Sequence, residues 1–208
     1  MIVKKAIDFE MDQNCYVVFK EESDECIVID PGNSFEKLIN ILNENNLKVG
    51  AVLFTHCHYD HISGAEKLKS FSAAPFLSGK NCSENIKSST LNVSVMFGEN
   101  FVFEVDKTLS DGEVFKKAGF EIKCIETPGH TNCSVCYLIE DVLFSGDTLF
   151  LRTTGRWDLP TGDYDVLFYS LQNKLYKMDD DITVYPGHGE KTSIGYEKKF
   201  NMSINAQN

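Results

Sequence analysis

Five histidines and two aspartates stand where metal chemistry would use them. His56, His58, Asp60 and His61 share the run Thr55-His-Cys-His-Tyr-Asp-His61. His130 ends Thr127-Pro-Gly-His130, Asp147 ends Ser145-Gly-Asp147, and His188 lies in Tyr185-Pro-Gly-His-Gly189. Side chains two apart on an extended segment point the same way, so His56 and His58 can grip one metal while Cys57 points elsewhere. Asp60 and His61 follow as the chain turns and can reach a second metal. Imidazole and carboxylate suit zinc, iron or manganese. A lone histidine more often belongs to a core or a surface. Here all five histidines sit in Gly, Pro or Asp contexts, and a structural reading of the whole set is hard to sustain.

Each of these motifs follows a β-like run. Residues 15–19 and 26–29 read as strands joined by a polar turn. Asp30-Pro31-Gly32 ends the second of them. Ser34 is expected to cap a helix over 35–45, with Phe35, Leu38, Ile39 and Leu42 at helical spacing. The apolar run 49–54 predicts a strand buried on both faces. Short helices are expected over 63–70 and 80–88. Strands are expected over 102–105, 113–115 and 120–126, and a hairpin pairs 135–139 with 142–145. An amphipathic helix is predicted over 163–178, a strand over 182–185 and a last helical turn or two over 195–201. The motifs therefore fall at strand ends, where the active sites of layered α/β proteins gather. With no linker, low-complexity run or short repeat, residues 1–208 read as one domain.

Composition narrows the partners. The chain is 42% hydrophobic and 25% charged, the mix of a soluble globular protein. Its net charge of −11 argues against a nucleic-acid backbone and against an anionic membrane surface as partners. Residues 1–14 carry no apolar run, so no export signal or anchor is expected and a cytoplasmic location is. The seven cysteines are then reduced thiols serving mainly as small core residues. Cys133 and Cys136 form a CxxC with no second one to complete a zinc knuckle.

In this order the motifs resemble the metallo-β-lactamase superfamily over nearly the whole chain, and within it the short glyoxalase II-like (hydroxyacylglutathione hydrolase-like) enzymes. The resemblance implies an α+β fold, an αββα sandwich of two mixed β-sheets flanked by helices, with metals at one edge. It implies two divalent metal ions per chain, zinc foremost, with iron or manganese as alternatives. His56, His58 and His130 would hold the first, Asp60, His61 and His188 the second, and Asp147 would bridge them. Asp30 matches a position that orients a ligating imidazole, or is a plain turn residue. Arg156 stands where related enzymes carry a substrate-binding lysine and Asp158 where they carry a tyrosine. Arg156 either binds a substrate carboxylate or pairs with Asp158. Two departures stand out. Asn132-Cys133 replaces the family's usual Pro-Gly, and the C-terminal helical glutathione-binding domain of full-length glyoxalase II is not expected within residues 1–208.

The implied activity is hydrolysis of a small-molecule thioester by a hydroxide shared between the metals, with Asp60 orienting it. A thiolate can leave with little help from an acid, because thiols are far stronger acids than amines or alcohols. The main alternative is a persulfide dioxygenase of the same fold, using one iron held at the positions of His56, of His130 or its neighbours, and of Asp147. A nucleic-acid-processing enzyme and a non-catalytic metal-binding protein fit less well. Oligomeric state leaves no trace in the sequence.

Overall fold

The computed structural model describes residues 1–205. Among them the first sheet takes its strands in chain order: β1 (Ile2–Asp8), β2 (Gln13–Phe19), β3 (Glu25–Ile29), β4 (Lys48–Phe54), β5 (Phe76–Gly79) and β6 (Lys107–Leu109). Then come β7 (Val114–Lys117), β8 (Phe120–Glu126), β9 (Val135–Ile139), β10 (Val142–Gly146), a small ribbon of β11 (Leu149–Phe150) with β12 (Thr153–Thr154), β13 (Thr183–Pro186) and β14 (Thr192–Ser193). The second sheet runs β14-β13-β10-β9-β8-β7. The helices are α1 (Phe35–Glu44), α2 (Tyr59–Ile62), α3 (Ala65–Phe71), α4 (Cys82–Asn85), α5 (Tyr164–Asn173), α6 (Ile194–Phe200) and α7 (Met202–Asn205). No helix among the described residues is long and apolar enough to cross a membrane.

Side-chain alternation explains the layering. In β2, Cys15, Val17 and Phe19 join one core with Leu38 and Leu42 of α1 and Leu68 of α3. Tyr16 and Val18 join a second core with Ile122, Tyr137 and Phe144 of the other sheet. Strands covered on both faces have no polar side, so β2 is buried throughout. On the far side Cys136 and Leu143 pack under Leu167 and Leu171 of α5 and Ile194 of α6. The result is helix, sheet, sheet, helix, the αββα arrangement of two mixed sheets.

Topology brings the motifs together. β3 and β4 run parallel, as do β10 and β13. β8 is antiparallel to β9, which is antiparallel to β10, so β8 points the same way as β10. The C-terminal ends of β3, β4, β8, β10 and β13 collect at one edge of the sandwich. There the sheets are stitched together. The Tyr16 hydroxyl donates to the Pro186 carbonyl at 2.6 Å, the Asn14 amide to Gly187 at 2.8 Å and the Val135 amide to Thr55 at 2.8 Å.

Several local expectations need correction. Ser34 precedes α1 but its side chain makes no capping bond; its carbonyl accepts from the Leu38 amide instead. The predicted strand over 102–105 is irregular chain. Phe101, Phe103 and Val105 alternate onto the α1/α3 core, but pairing with β5 begins only at Lys107. The 63–70 helix is α3, and a separate one-turn helix, α2, precedes it; between them the chain passes Gly32 so closely at Gly64 that a Cβ there would meet the Gly32 carbonyl oxygen. The 80–88 helix shrinks to α4, and the 163–178 helix ends at Asn173, continuing as a 3-10 turn over Leu175–Lys177. Strands β1, β5, β6, β11, β12 and β14 lie outside the runs expected to be strands. All seven cysteines are free and buried, with Cys133 and Cys136 in different cores, so this CxxC is not a pair.

Tyr137 ties the inter-sheet core to the motif-bearing strand, its hydroxyl donating to the Phe54 carbonyl at 2.9 Å. Tyr137→Phe is expected to cost about 1–3 kcal/mol, because it leaves a buried carbonyl short of a partner. This is read as a lower urea midpoint with an unchanged slope.

Candidate metal centre

The histidine run begins where β4 stops. Its first turn is extended, with His58 at the N-cap position of α2 (φ −63°, ψ 146°), and Asp60 and His61 lie in the helix that follows. His130 follows β8, Asp147 follows β10 and His188 follows β13. Three groups of side chains close up there: His56, His58 and His130; His56, His61 and Asp147; and Asp60, His61 and His188. The donor atoms of each group lie within 4.8 Å of one another. Asp147 sits between the outer two groups, 3.2 Å from His61 Nε2, 3.5 Å from His188 Nε2 and 3.6 Å from His130 Nε2. All seven sequence-predicted ligands are thus in one cluster.

Hydrogen bonds behind the rings decide which nitrogen faces inward. Asp30 is buried in a left-handed conformation (φ 51°) at the end of β3. It accepts from the Thr55 amide at 2.7 Å, the Thr55 hydroxyl at 2.6 Å and His61 Nδ1–H at 2.9 Å. Because the Thr55 proton goes to Asp30, the Thr55 oxygen accepts from His56 Nδ1–H at 3.1 Å. His130 Nδ1–H donates to the Arg156 carbonyl at 2.6 Å and His188 Nδ1–H to the Asp12 carbonyl at 3.0 Å. Four imidazoles are therefore held in the tautomer that turns Nε2 into the cluster. His58 faces it through Nδ1, 2.9 Å from His130 Nε2.

Electrostatics agree with a cation site. Burial pushes His58 down to about 3, helped by the facing His130, and pushes His56 well below the usual imidazole range, helped by His61 and His58. Both stay neutral, as ligands must. Burial would raise Asp147, but His61 and His188 outweigh it and hold the carboxylate well below its usual range; Asp60 is likewise held down by His61 and His188. Burial would lower His61, but Asp60, Asp147 and Asp30 outweigh it and hold its proton tightly. That proton occupies a place a divalent cation would take. His56 Nε2 is buried and lacks a hydrogen-bond partner. Such atoms are costly to bury unless something else satisfies them, and a neutral-histidine and carboxylate set suits a divalent metal.

Two glycines leave room for this. A Cβ on Gly187 would lie 2.2 Å from Asp147 Oδ1, and one on Gly155 would lie 1.9 Å from the Asp147 carbonyl oxygen. Sequence reasoning missed the Asp12 and Arg156 carbonyls, since any residue supplies a carbonyl. It also missed Thr55, whose signal was its place in the histidine run. The Arg156 side chain is at the rim, exposed and bound bidentately to Asp158 at 2.7 and 2.8 Å, the second of the two uses expected for it.

The profile of the metallo-β-lactamase superfamily matches residues 9–188. The chain belongs to that superfamily. It is 34% identical over 203 residues to hydroxyacylglutathione hydrolase GloC of Haemophilus influenzae, covering 94% of each chain. Among solved structures it is similar to BLEG-1, described as a B3 metallo-beta-lactamase (TM-score 0.91, 31% identity, 96% of this chain and 98% of that one). It is also similar to ETHE1 from Myxococcus xanthus (0.84, 27%, 99% and 85%) and to TTHA1623 in a di-iron-bound form (0.83, 29%, 96% and 98%). A metallo-β-lactamase fold with this His/Asp cluster is a divalent-metal site.

Asp30→Asn keeps an acceptor for Thr55 but opposes an amide N–H to His61 Nδ1–H, and asparagine tolerates the left-handed backbone. It is expected to weaken metal binding by about 10–100-fold, read by chelator competition. Metal binding must also expel the proton held at His61. The apparent affinity is therefore expected to rise with pH, and calorimetry in buffers of different ionisation enthalpy should show net proton release.

Proposed function

We propose that this chain is a binuclear metal-dependent hydrolase of thioesters, glyoxalase II-like, working on a small molecule in the cytoplasm, where its seven buried thiols stay reduced. The observation that carries the reading is the pair of triads, His56/His58/His130 and Asp60/His61/His188, set on either side of Asp147. Zinc is the metal we assign to them, as a borderline cation suited to imidazole and carboxylate. When bound, two such ions supply a water nucleophile near neutral pH and polarise a carbonyl. The residues do the rest. Asp147 lies between the triads as a carboxylate and would be the ligand common to both ions. Asp60, 3.1 Å from His188 Nε2 and ionised, would accept a hydrogen bond from the nucleophile and orient it. Asp30 holds His61 directly and His56 through Thr55. A departing thiolate requires no proton, so hydrolysis needs no further general acid.

The likeness to ETHE1 supports a second reading, oxygenation of a persulfide by a single iron; the di-iron form of TTHA1623 supports iron as the metal but two ions per chain. The two readings differ in stoichiometry and in oxygen use. Elemental analysis of protein purified without chelator is expected to give about two metals per chain, as the paired triads require. Thioester hydrolysis is expected to be the same with and without O₂. One iron per chain and O₂ consumption with a persulfide would replace the hydrolase reading with the oxygenase. Asp147→Ala is expected to lower kcat by more than the roughly 10–100-fold typical of losing a residue that only supports a ligand, since it removes a carboxylate that would serve both ions. An Asp147→Ala enzyme with both metals and full activity would defeat the scheme.

A further inference from the structure

Over the metal centre lies a cavity of about 530 Å³, inside the ~300–1,000 Å³ range of small-molecule sites. Its floor is the His/Asp cluster. Its walls are apolar: Met11, Val93, Met96, Phe97, Phe150 and Leu159. Val93 is the most constrained of them. It is buried with φ 57° and ψ 12°, a left-handed conformation that a β-branched residue disfavours. Asn92 holds it there. The Asn92 side-chain amide donates to the Ile86 and Phe101 carbonyls at 3.1 and 2.8 Å, and its Oδ1 accepts from the Ser94 amide at 3.0 Å. The Asn92 carbonyl accepts from the amide of Tyr59, which stands between His58 and Asp60, at 2.9 Å. This apolar turn is thus fastened to the metal-binding run itself. Just beyond Val93, Met96 and Phe97 are 66% and 51% exposed at the mouth. Phe97 packs on Tyr59 with ring centroids 5.5 Å apart.

Charge is the second observation. Among the described residues the cavity wall carries one lysine or arginine side chain, Arg156, and its charge is paired with Asp158, which accepts from Nε and Nη2 along one edge of the guanidinium. The chain as a whole is at −11. A glutathione moiety brings two carboxylates and an ammonium, and the one cationic side chain on this wall is already paired with a carboxylate. A hydrocarbon arm finds three apolar side chains, Val93, Met96 and Phe97, lining the cavity beside the metal ligands.

We propose that the cavity selects thioesters by an uncharged hydrocarbon acyl chain seated against Val93, Met96 and Phe97. This rests on the thioester hydrolase reading and names its substrate class. Biological thiol carriers are polar or charged, so their end projects through the open mouth and the acyl chain takes the apolar wall. Seating it removes apolar surface of both partners from water.

The test uses metal-loaded enzyme and straight-chain acyl thioesters of one neutral thiol, N-acetylcysteamine, from acetyl upward. The kcat/KM is expected to rise by up to about fourfold per added CH₂ while the chain reaches the wall. Val93→Asn, which suits the left-handed backbone, and Met96→Glu, at an exposed position, are expected to flatten that rise. A flat series overturns the proposal. So does a steeper gain when the thiol side is lengthened on an acetyl group, or a preference for lactoylglutathione over the longer acyl substrates. If no thioester is cleaved, the hydrolase reading fails. The apolar subsite is then judged by calorimetric binding of uncleavable ketone analogues, with CH₂ inserted between sulfur and carbonyl. Affinity that grows with acyl length keeps the subsite, and affinity that does not overturns it.

Discussion

The Asp30 carboxylate is the contact on which the rest of the centre depends. It is buried at the end of one strand and takes hydrogen bonds from the amide and hydroxyl of Thr55 at the end of the next and from His61 two turns of chain later. Through the Thr55 hydroxyl it also sets the tautomer of His56. One negative charge thus orients a ring in each triad. Its backbone is left-handed, a conformation costing an ordinary residue energy. Here the local cost is offset by charge-assisted bonds, roughly twice as strong as neutral ones.

The remaining rings are fixed by carbonyls, and this links the centre to its surroundings. His130 is held by the Arg156 carbonyl and His188 by the Asp12 carbonyl. Arg156 belongs to the cavity rim, and Asp12 precedes β2 in the opposite sheet. A shift in either segment turns an imidazole. Cavity shape and ligand geometry are therefore coupled through the backbone, as Asn92 and Tyr59 couple the apolar turn to the histidine run. A substrate pressing on that wall presses on a metal-binding segment.

The buried charges balance only as a set. Burial by itself would neutralise Asp147 and Asp60 and deprotonate His61. Each is kept in its charged form by the others. This is why removing a single member is costly, and why proton and metal compete for one place. The glycines beside Asp147 have the same origin. Close packing of ligands leaves no volume for a Cβ at Gly155 or Gly187.

The chemistry-bearing residues were legible in the sequence because ligand chemistry is carried by side-chain type. His56, His58, Asp60, His61, His130, Asp147 and His188 are conspicuous in their Gly, Pro and Asp contexts, and the superfamily could be read from them. So could most strands, where apolar runs report burial on both faces. Other features belong to tertiary structure alone. The segment around Phe103 alternates like a strand yet has no strand neighbour until Lys107, because pairing depends on where β5 lies. Ser34 has the residue type of a cap without its bond. The carbonyls of Asp12 and Arg156 carry no residue signature, and whether Arg156 was free or paired depended on the turn that brings Asp158 to it. Side-chain identity determines what a residue can bind; only the folded chain decides which lone pair points inward, since that choice is made by neighbours remote in sequence.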